Sequence, residues 1–325
     1  MKSEKKKMKK GWKIFLIVLV ILILVIVAGA LIFSNYTGQL VAEGILHQND
    51  GNDTKSNSIR QLELWGYDLA GFCETYEETA LTFEAEDGNV VPAVILTTAT
   101  TTSENKVAVL VHGAGGDHVS SYPVAEIYLE NGYQVLAIDQ RASGDSTNEW
   151  VSFGYFESLD VKAAVDYARN EMAADQVIVH GQSMGGLTTA VYASTDHAAN
   201  NVDAFILDSS INGMEYVFSG MMMDDGLDET STAYVVACGD WYLRHHYGFG
   251  FDDVDAVKCL STDRVPTLLI YAQEDDLVTE EQMEAMLNAI ATDQKEMITF
   301  PCGHIESIIM YKEECSDAIM SFINS

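Results

Sequence analysis

VIVHGQSMGGLTTAVYAS, Val177 to Ser194, is the stretch whose reading decides the fold. Val177, Ile178 and Val179 are β-branched and apolar, as a buried strand requires. Gly181-Gln182-Ser183-Met184-Gly185 then matches G-x-S-x-G. Leu187, Ala190, Val191 and Ala193 continue as a helical apolar stripe. Strand, tight turn and helix is the context in which this motif places a serine hydroxyl above the carboxyl edge of a sheet. A side chain at position 181 or 185 would collide with neighbouring backbone there, so both positions are glycine. The first N–H groups of the helix, that of Met184 among them, lack intrahelical acceptors and face the same space. A glycine-punctuated turn with an incidental serine is the plain alternative, and neighbouring segments have to decide between the two.

Outward from the elbow, strand and helix signals alternate. Thr79–Glu86 and Val90–Thr97 flank Asp87-Gly88-Asn89, a hairpin signature. Strands are expected at Lys106–Val111, Tyr133–Ile138, Ala204–Leu207, Thr267–Tyr271 and Met297–Phe300. Helices are expected at Val124–Asn131, Leu159–Met172, Glu280–Ala291 and Glu313–Ile323. An antiparallel start followed by βαβα is the order of a mostly parallel, doubly wound α/β sheet. Residues 61–325 suffice for one such domain carrying an insertion at 211–264.

Three further segments follow strand ends. His112-Gly113-Ala114-Gly115-Gly116 follows the Lys106–Val111 strand, and its glycines let backbone N–H groups approach a ligand oxygen. Asp275, flanked by Glu274 and Asp276, follows the Thr267–Tyr271 strand, where an acid can accept the N–H of an imidazole. His304 follows the last strand and has the chemistry of a general base.

The chain order Ser183, Asp275, His304 resembles that of the α/β-hydrolase superfamily. Asp139-Gln140-Arg141-Ala142-Ser143-Gly144-Asp145-Ser146 is similar to the D-x-R-x-x-G-x-S loop of its bacterial serine-esterase and serine-aminopeptidase-like branch. Asp275-Asp276-Leu277-Val278 is similar to that branch's D-x-x-V segment, although Ala272 stands where a glycine is usual. The resemblance spans about Leu64 to Ile323. It implies an α/β-hydrolase fold with a helical lid at 211–264, and a catalytic set of Ser183, His304 and Asp275. It also implies an oxyanion hole from the N–H groups of Ala114 and Met184, a small acyl substrate, and no metal or organic cofactor. Arg141 and Asp145 are expected to brace loops. Esterase, peptidase or aminopeptidase, and acyltransferase share these motifs, as would a hydrolase-fold binding protein that had lost catalysis. The lid aromatics, among them Phe218, Tyr234, Trp241 and Phe249, either roof an acyl pocket or pack the lid's own core.

Ahead of the domain, residues 1–13 carry seven Lys and one Glu, and Ile14–Phe33 has no charged or polar side chain. At ~1.5 Å per residue those twenty residues reach about 30 Å, the thickness of a bilayer's hydrocarbon core. The expectation is a transmembrane anchor with a cytoplasmic basic tail and an extracellular domain. Cleavage after Ala30, in Ala28-Gly29-Ala30, is the alternative. Residues 34–60, with the polar run Gln48–Ser58, read as a juxtamembrane linker. Of the chain's 18 basic and 49 acidic residues, seven and one precede residue 34, which leaves a net charge of −37 on the remainder. Such a field repels nucleic acid and anionic lipid surfaces. His245-His246 lacks a third ligand at helical spacing, so no metal is expected there. The five cysteines leave pairing open, with Cys238–Cys259 and Cys302–Cys315 as candidates.

Overall fold

The computed structural model describes residues 10–98 and 105–325; the basic tail ahead of Lys10 lies outside them. Among the described residues eight strands form one sheet: β1 (Glu77–Glu84), β2 (Val90–Thr97), β3 (Lys106–Val111), β4 (Gln134–Ile138), β5 (Gln176–Gln182), β6 (Ala204–Asp208), β7 (Thr267–Ala272) and β8 (Lys295–Phe300). Their order is β1-β2-β4-β3-β5-β6-β7-β8. β1, β2 and β4 pair antiparallel, and every pairing from β4 through β8 is parallel. β3, β5, β6 and β7 are buried along almost their whole length, which is why they read as continuous apolar runs rather than alternations.

Thirteen helices are described: α1 (Lys10–Leu46), α2 (Thr54–Leu64), α3 (Leu69–Thr75), α4 (Tyr122–Glu130), α5 (Glu157–Asn170), α6 (Met184–Ala193), α7 (Asp196–Asn201), α8 (Met214–Asp224), α9 (Glu229–His246), α10 (Ala256–Leu260), α11 (Glu280–Ala289), α12 (Ser307–Met310) and α13 (Lys312–Ile323). One apolar layer, with α5 and α6, packs one face of the sheet. A second, with α4 and α13, packs the other. This is the doubly wound architecture that the strand–helix alternation predicts, with expected and observed element ends differing by a few residues.

The segment before the domain departs from expectation. Instead of a linker over 34–60, α1 runs unbroken from the apolar stretch into the domain, and α2 follows after a short turn. Val18 to Val27 is exposed throughout, whereas Gly38, Ala42, Ile45 and Leu46 are buried in the main core. Phe33 stacks on Tyr234 of α9 at 6.5 Å, and Ser34 Oγ lies 2.8 Å from the Tyr234 hydroxyl. The Leu46 carbonyl accepts from Val151 N at 2.9 Å. Composition hid this because the apolar contacts after Phe33 are few and spaced by polar residues. In α2 the Asp53 cap, accepting from Ser56 N, is the signal that the polar run disguised.

The insertion holds α8, α9 and α10. Phe249 stacks on Tyr155 at 4.9 Å, and Phe251 and Leu243 are buried in the main core. His245 and His246 stack on Trp241 and Tyr242, one turn back. The candidate cysteine pairings are not made: Cys73, Cys238, Cys259, Cys302 and Cys315 are all free thiols.

Two outcomes follow from this packing. At Gly38 an added Cβ would run into the Cys238 carbonyl and crowd Tyr242. An alanine gains about 1 kcal/mol of helix propensity, but a backbone carbonyl cannot rotate away, so α1 and α9 must separate. Gly38→Ala is therefore expected to destabilise by about 1–3 kcal/mol in urea unfolding of the detergent-solubilised chain; an unchanged midpoint would refute the contact. Asp208, fully buried at the end of β6, has its carboxyl pushed up to about 6 by burial, against a 2.9 Å hydrogen bond from Gln182 Nε2. A folded pKa above the unfolded one means the folded state holds the proton more tightly. That contribution is complete below about pH 4 and is lost as pH rises through about 6. Asp208→Asn should flatten this fall and raise stability at pH 7 by about 1–3 kcal/mol. Parallel pH curves for variant and wild type would contradict it.

Candidate active site

Ser183 closes β5 and caps α6 at φ 54°, ψ −117°, a region that L residues avoid. The turn is held from both sides. Ser183 N donates to the Asp208 carbonyl at 2.9 Å, and the Ser183 carbonyl accepts from Leu187 N at 3.2 Å. The flanking glycines are required by contact. A Cβ on Gly185 would overlap the carbonyls of Val111 and His112, and one on Gly181 would overlap the Gly185 carbonyl. Backbone thus packs on backbone beneath the serine, and its hydroxyl projects from the sheet edge.

His304 follows β8. Its Nε2 lies 2.8 Å from Ser183 Oγ, and its Nδ1 lies 2.6 Å from Asp275 Oδ2. Asp275 follows β7 in a tight turn whose N–H groups at Leu277 and Val278 donate to Asp275 Oδ1 at 2.7 and 3.0 Å. Of the three consecutive acids, this turn directs Asp275 towards His304. Val278 is buried and pins it, the Asp275 side chain is fully enclosed, and Glu274 and Asp276 are exposed. Burial pushes the Asp275 carboxyl up, but the His304 hydrogen bond and charge, with the two N–H donors, outweigh this and hold it below the ordinary value. Ala272 is an ordinary buried strand residue opposite Phe300, so a glycine is not needed there.

The glycine loop after β3 is anchored by His112, a role the sequence did not reveal. His112 Nδ1 donates to the Gly113 carbonyl at 2.7 Å, and its Nε2 accepts from Gln140 N at 3.0 Å. Burial, the largest influence on His112, lowers its pKa, consistent with a neutral ring that donates at one nitrogen and accepts at the other. Beside it, His118 Nδ1 meets Asp139 Oδ1 at 2.7 Å, and Asp145 N donates to Asp139 Oδ2 at 2.9 Å. Asp117, His118 and Asp139 bring ligand-type atoms within 4.8 Å of one another; the His118–Asp139 pair already engages Asp139. Arg141 braces as expected, on Asp160 and Asp87, and Asp145 pairs with Lys55.

A cleft of about 540 Å³ opens over Ser183 and His304. Gly113, Ala114 and Gly115 form its floor, and Met184, the first residue of α6, adjoins Ser183. Its opposite wall is α2, through Asn57, Arg60, Gln61, Leu64 and the following Trp65. α2 is fastened to the loops beneath it: Ser58 Oγ accepts from Asp117 N at 3.0 Å, and Thr54 Oγ1 accepts from Gly144 N at 2.8 Å. No described residue of 211–264 lines this cleft. The insertion therefore does not roof it. Its large side chains pack on α1 and the core, or stand exposed as Met221 and Trp241 do.

Residues 106–241 match the family model described as alpha/beta hydrolase fold. Uncharacterized protein YfhR of Salmonella typhimurium is 26% identical over 266 residues, covering 77% of this chain and 82% of the relative. Uncharacterized protein YqkD of Bacillus subtilis is 22% identical over 222 residues, covering 68% and 71%. Among solved structures, the Pyrococcus furiosus esterase Pf2001 superposes with a TM-score of 0.60 at 21% identity, covering 77% of this chain and 92% of that one. The sheet order, the strained serine turn and these likenesses agree that the chain has the α/β-hydrolase fold.

Proposed function

We propose that the chain is a membrane-anchored serine hydrolase that cleaves a carboxylic ester or related acyl compound through an acyl-enzyme. The observation that carries this is the unbroken hydrogen-bonded series Asp275–His304–Ser183, which ends at a hydroxyl on a strained turn beside a glycine loop. His304 Nε2 takes the hydroxyl proton as Ser183 Oγ attacks the carbonyl carbon. The carbonyl π electrons move to oxygen, where the N–H groups of Met184 and Ala114 stabilise the charge. Imidazolium returns the proton to the leaving oxygen, the C–O bond breaks, and water repeats the sequence on the acyl-enzyme. Asp275 keeps the Nδ1–H tautomer and stabilises the imidazolium. Esterase is preferred to the other acyl-transfer chemistries because Pf2001, the similar solved structure cited above, is named an esterase.

Anchoring rests on α1. The helix is long and apolar enough to cross a membrane, none of its apolar window is buried, and it passes Ala30 without a break. Trp12 and Tyr36 stand near the two ends of the apolar run, where aromatic side chains favour the interface. The basic tail sets the N-terminus in the cytoplasm and the hydrolase domain outside.

A fluorophosphonate probe is expected to label the full chain, and Ser183→Ala to abolish labelling and turnover of p-nitrophenyl esters. Absence of labelling in folded wild type would leave a binding protein on a hydrolase fold. Asp275→Asn should lower kcat by ~10⁴, and Asp276→Asn by under about tenfold; the reverse ranking would reassign the acid. Protease added to intact cells should remove the domain while sparing cytoplasmic proteins. Digestion only after lysis would reverse the orientation.

A further inference from the structure

The chain holds five arginines. Four are paired with carboxylates: Arg141 with Asp160 and Asp87, Arg169 with Asp203, Arg244 with Asp240, and Arg264 with Asp196. Arg60 differs. Among the described residues it meets no carboxylate, and its Nη2 donates to Asn57 Oδ1, a neutral amide one turn back on α2, at 3.0 Å. Arg60 is also the one arginine in the wall of the cleft over Ser183.

The same wall is unusual for what it omits. The chain has 49 acidic residues against 18 basic ones, yet no described Asp or Glu lines the cleft. Apart from His304, its other polar side chains are neutral amides and hydroxyls, among them Asn57, Gln61, Ser120 and Gln182, and its apolar ones include Leu64, Trp65 and Leu277. A guanidinium presents a planar fork of donors matched to a carboxylate. In so acidic a protein, an arginine without an acid partner, in the same cleft as the reacting serine, leaves that fork free for a ligand.

We propose that Arg60 forms a subsite for an anionic group, so that the preferred acyl compound carries a carboxylate in addition to the scissile carbonyl, with an apolar segment along Leu64 and Trp65. The inference rests on the serine-hydrolase reading and adds to it a substrate class and a specificity-determining residue outside the catalytic series. It also gives α2 a purpose, since the helix carries both Arg60 and Asn57 to the cleft and Thr54 and Ser58 fix it there.

The test compares kcat/KM for two matched pairs of esters on the full chain in detergent. Mono-p-nitrophenyl glutarate against p-nitrophenyl butyrate places the charge on the acyl side. 4-Acetoxybenzoate against phenyl acetate places it on the leaving group. For at least one pair the wild type should favour the charged ester, and Arg60→Gln should lower that charged-to-neutral ratio at least tenfold. Arg60→Lys should recover part of it, because charge is kept and the fork is lost. The pair that responds identifies the side of the scissile bond on which Arg60 acts. A wild-type preference for the neutral ester in both pairs, or ratios unchanged within twofold in Arg60→Gln, overturns the subsite while fluorophosphonate labelling of Ser183 leaves the hydrolase reading standing. Absence of both labelling and turnover removes that reading and the subsite with it.

Discussion

The close approach of α6 to β3 is the constraint on which the site depends. Gly185 lets the helix begin against the carbonyls of Val111 and His112, and this contact forces Ser183 into a positive-φ turn. Conformations of that kind cost about 1–3 kcal/mol and persist only where the surroundings over-determine them. Here the surroundings are the central strands. β5 lies between β3 and β6, and Asp208 at the end of β6 supplies the carbonyl that holds Ser183 N. The same contact brings the end of β3, and hence the glycine loop, beside the serine. One packing requirement therefore sets both the hydroxyl's direction and the location of the N–H donors.

The rest of the site is organised by loops whose polar groups are satisfied internally. His112 ties the glycine loop to the segment after β4 through Gln140, and the buried His118–Asp139 pair ties that segment to the turn just ahead of α4. Burial disfavours charge on both partners, but their hydrogen bond offsets this, raising the His118 pKa and lowering that of Asp139. Arg141, buried against Asp160 and Asp87, braces the other side of the loop. Rigid scaffolding of this kind is what holds a catalytic group to within a fraction of an ångström.

Much of this was legible in the sequence because the chemistry is local. G-x-S-x-G encodes its own turn, continuous β-branched runs encode buried strands, and Asp275 is distinguished from Glu274 and Asp276 by the buried Val278 three residues on. What stayed hidden depends on contacts between distant segments. α2 has a single well-buried leucine, Leu62, and docks through Thr54 and Ser58 on loops 60 to 90 residues away. The buried end of α1 rests on Gly38, Ala42, Ile45 and Leu46, too sparse a pattern to stand out after twenty consecutive apolar residues. The insertion's aromatics were equally consistent with a roof or a core, and composition carries no information about which neighbour they meet.

The unbroken course of α1 has a mechanical consequence. A flexible linker of 27 residues would let a domain wander over roughly 30 Å relative to its anchor. From the end of the apolar run at Phe33 to Leu46, which is locked into the core, α1 spans only about 20 Å and does not bend freely. The domain is mounted on a mast rather than a tether. With α1 as the proposed anchor, helix geometry would fix the domain's height above the lipid and the side of the cleft turned to it. On that anchoring, a substrate diffusing in the plane of the bilayer would meet the site at one elevation and in one orientation.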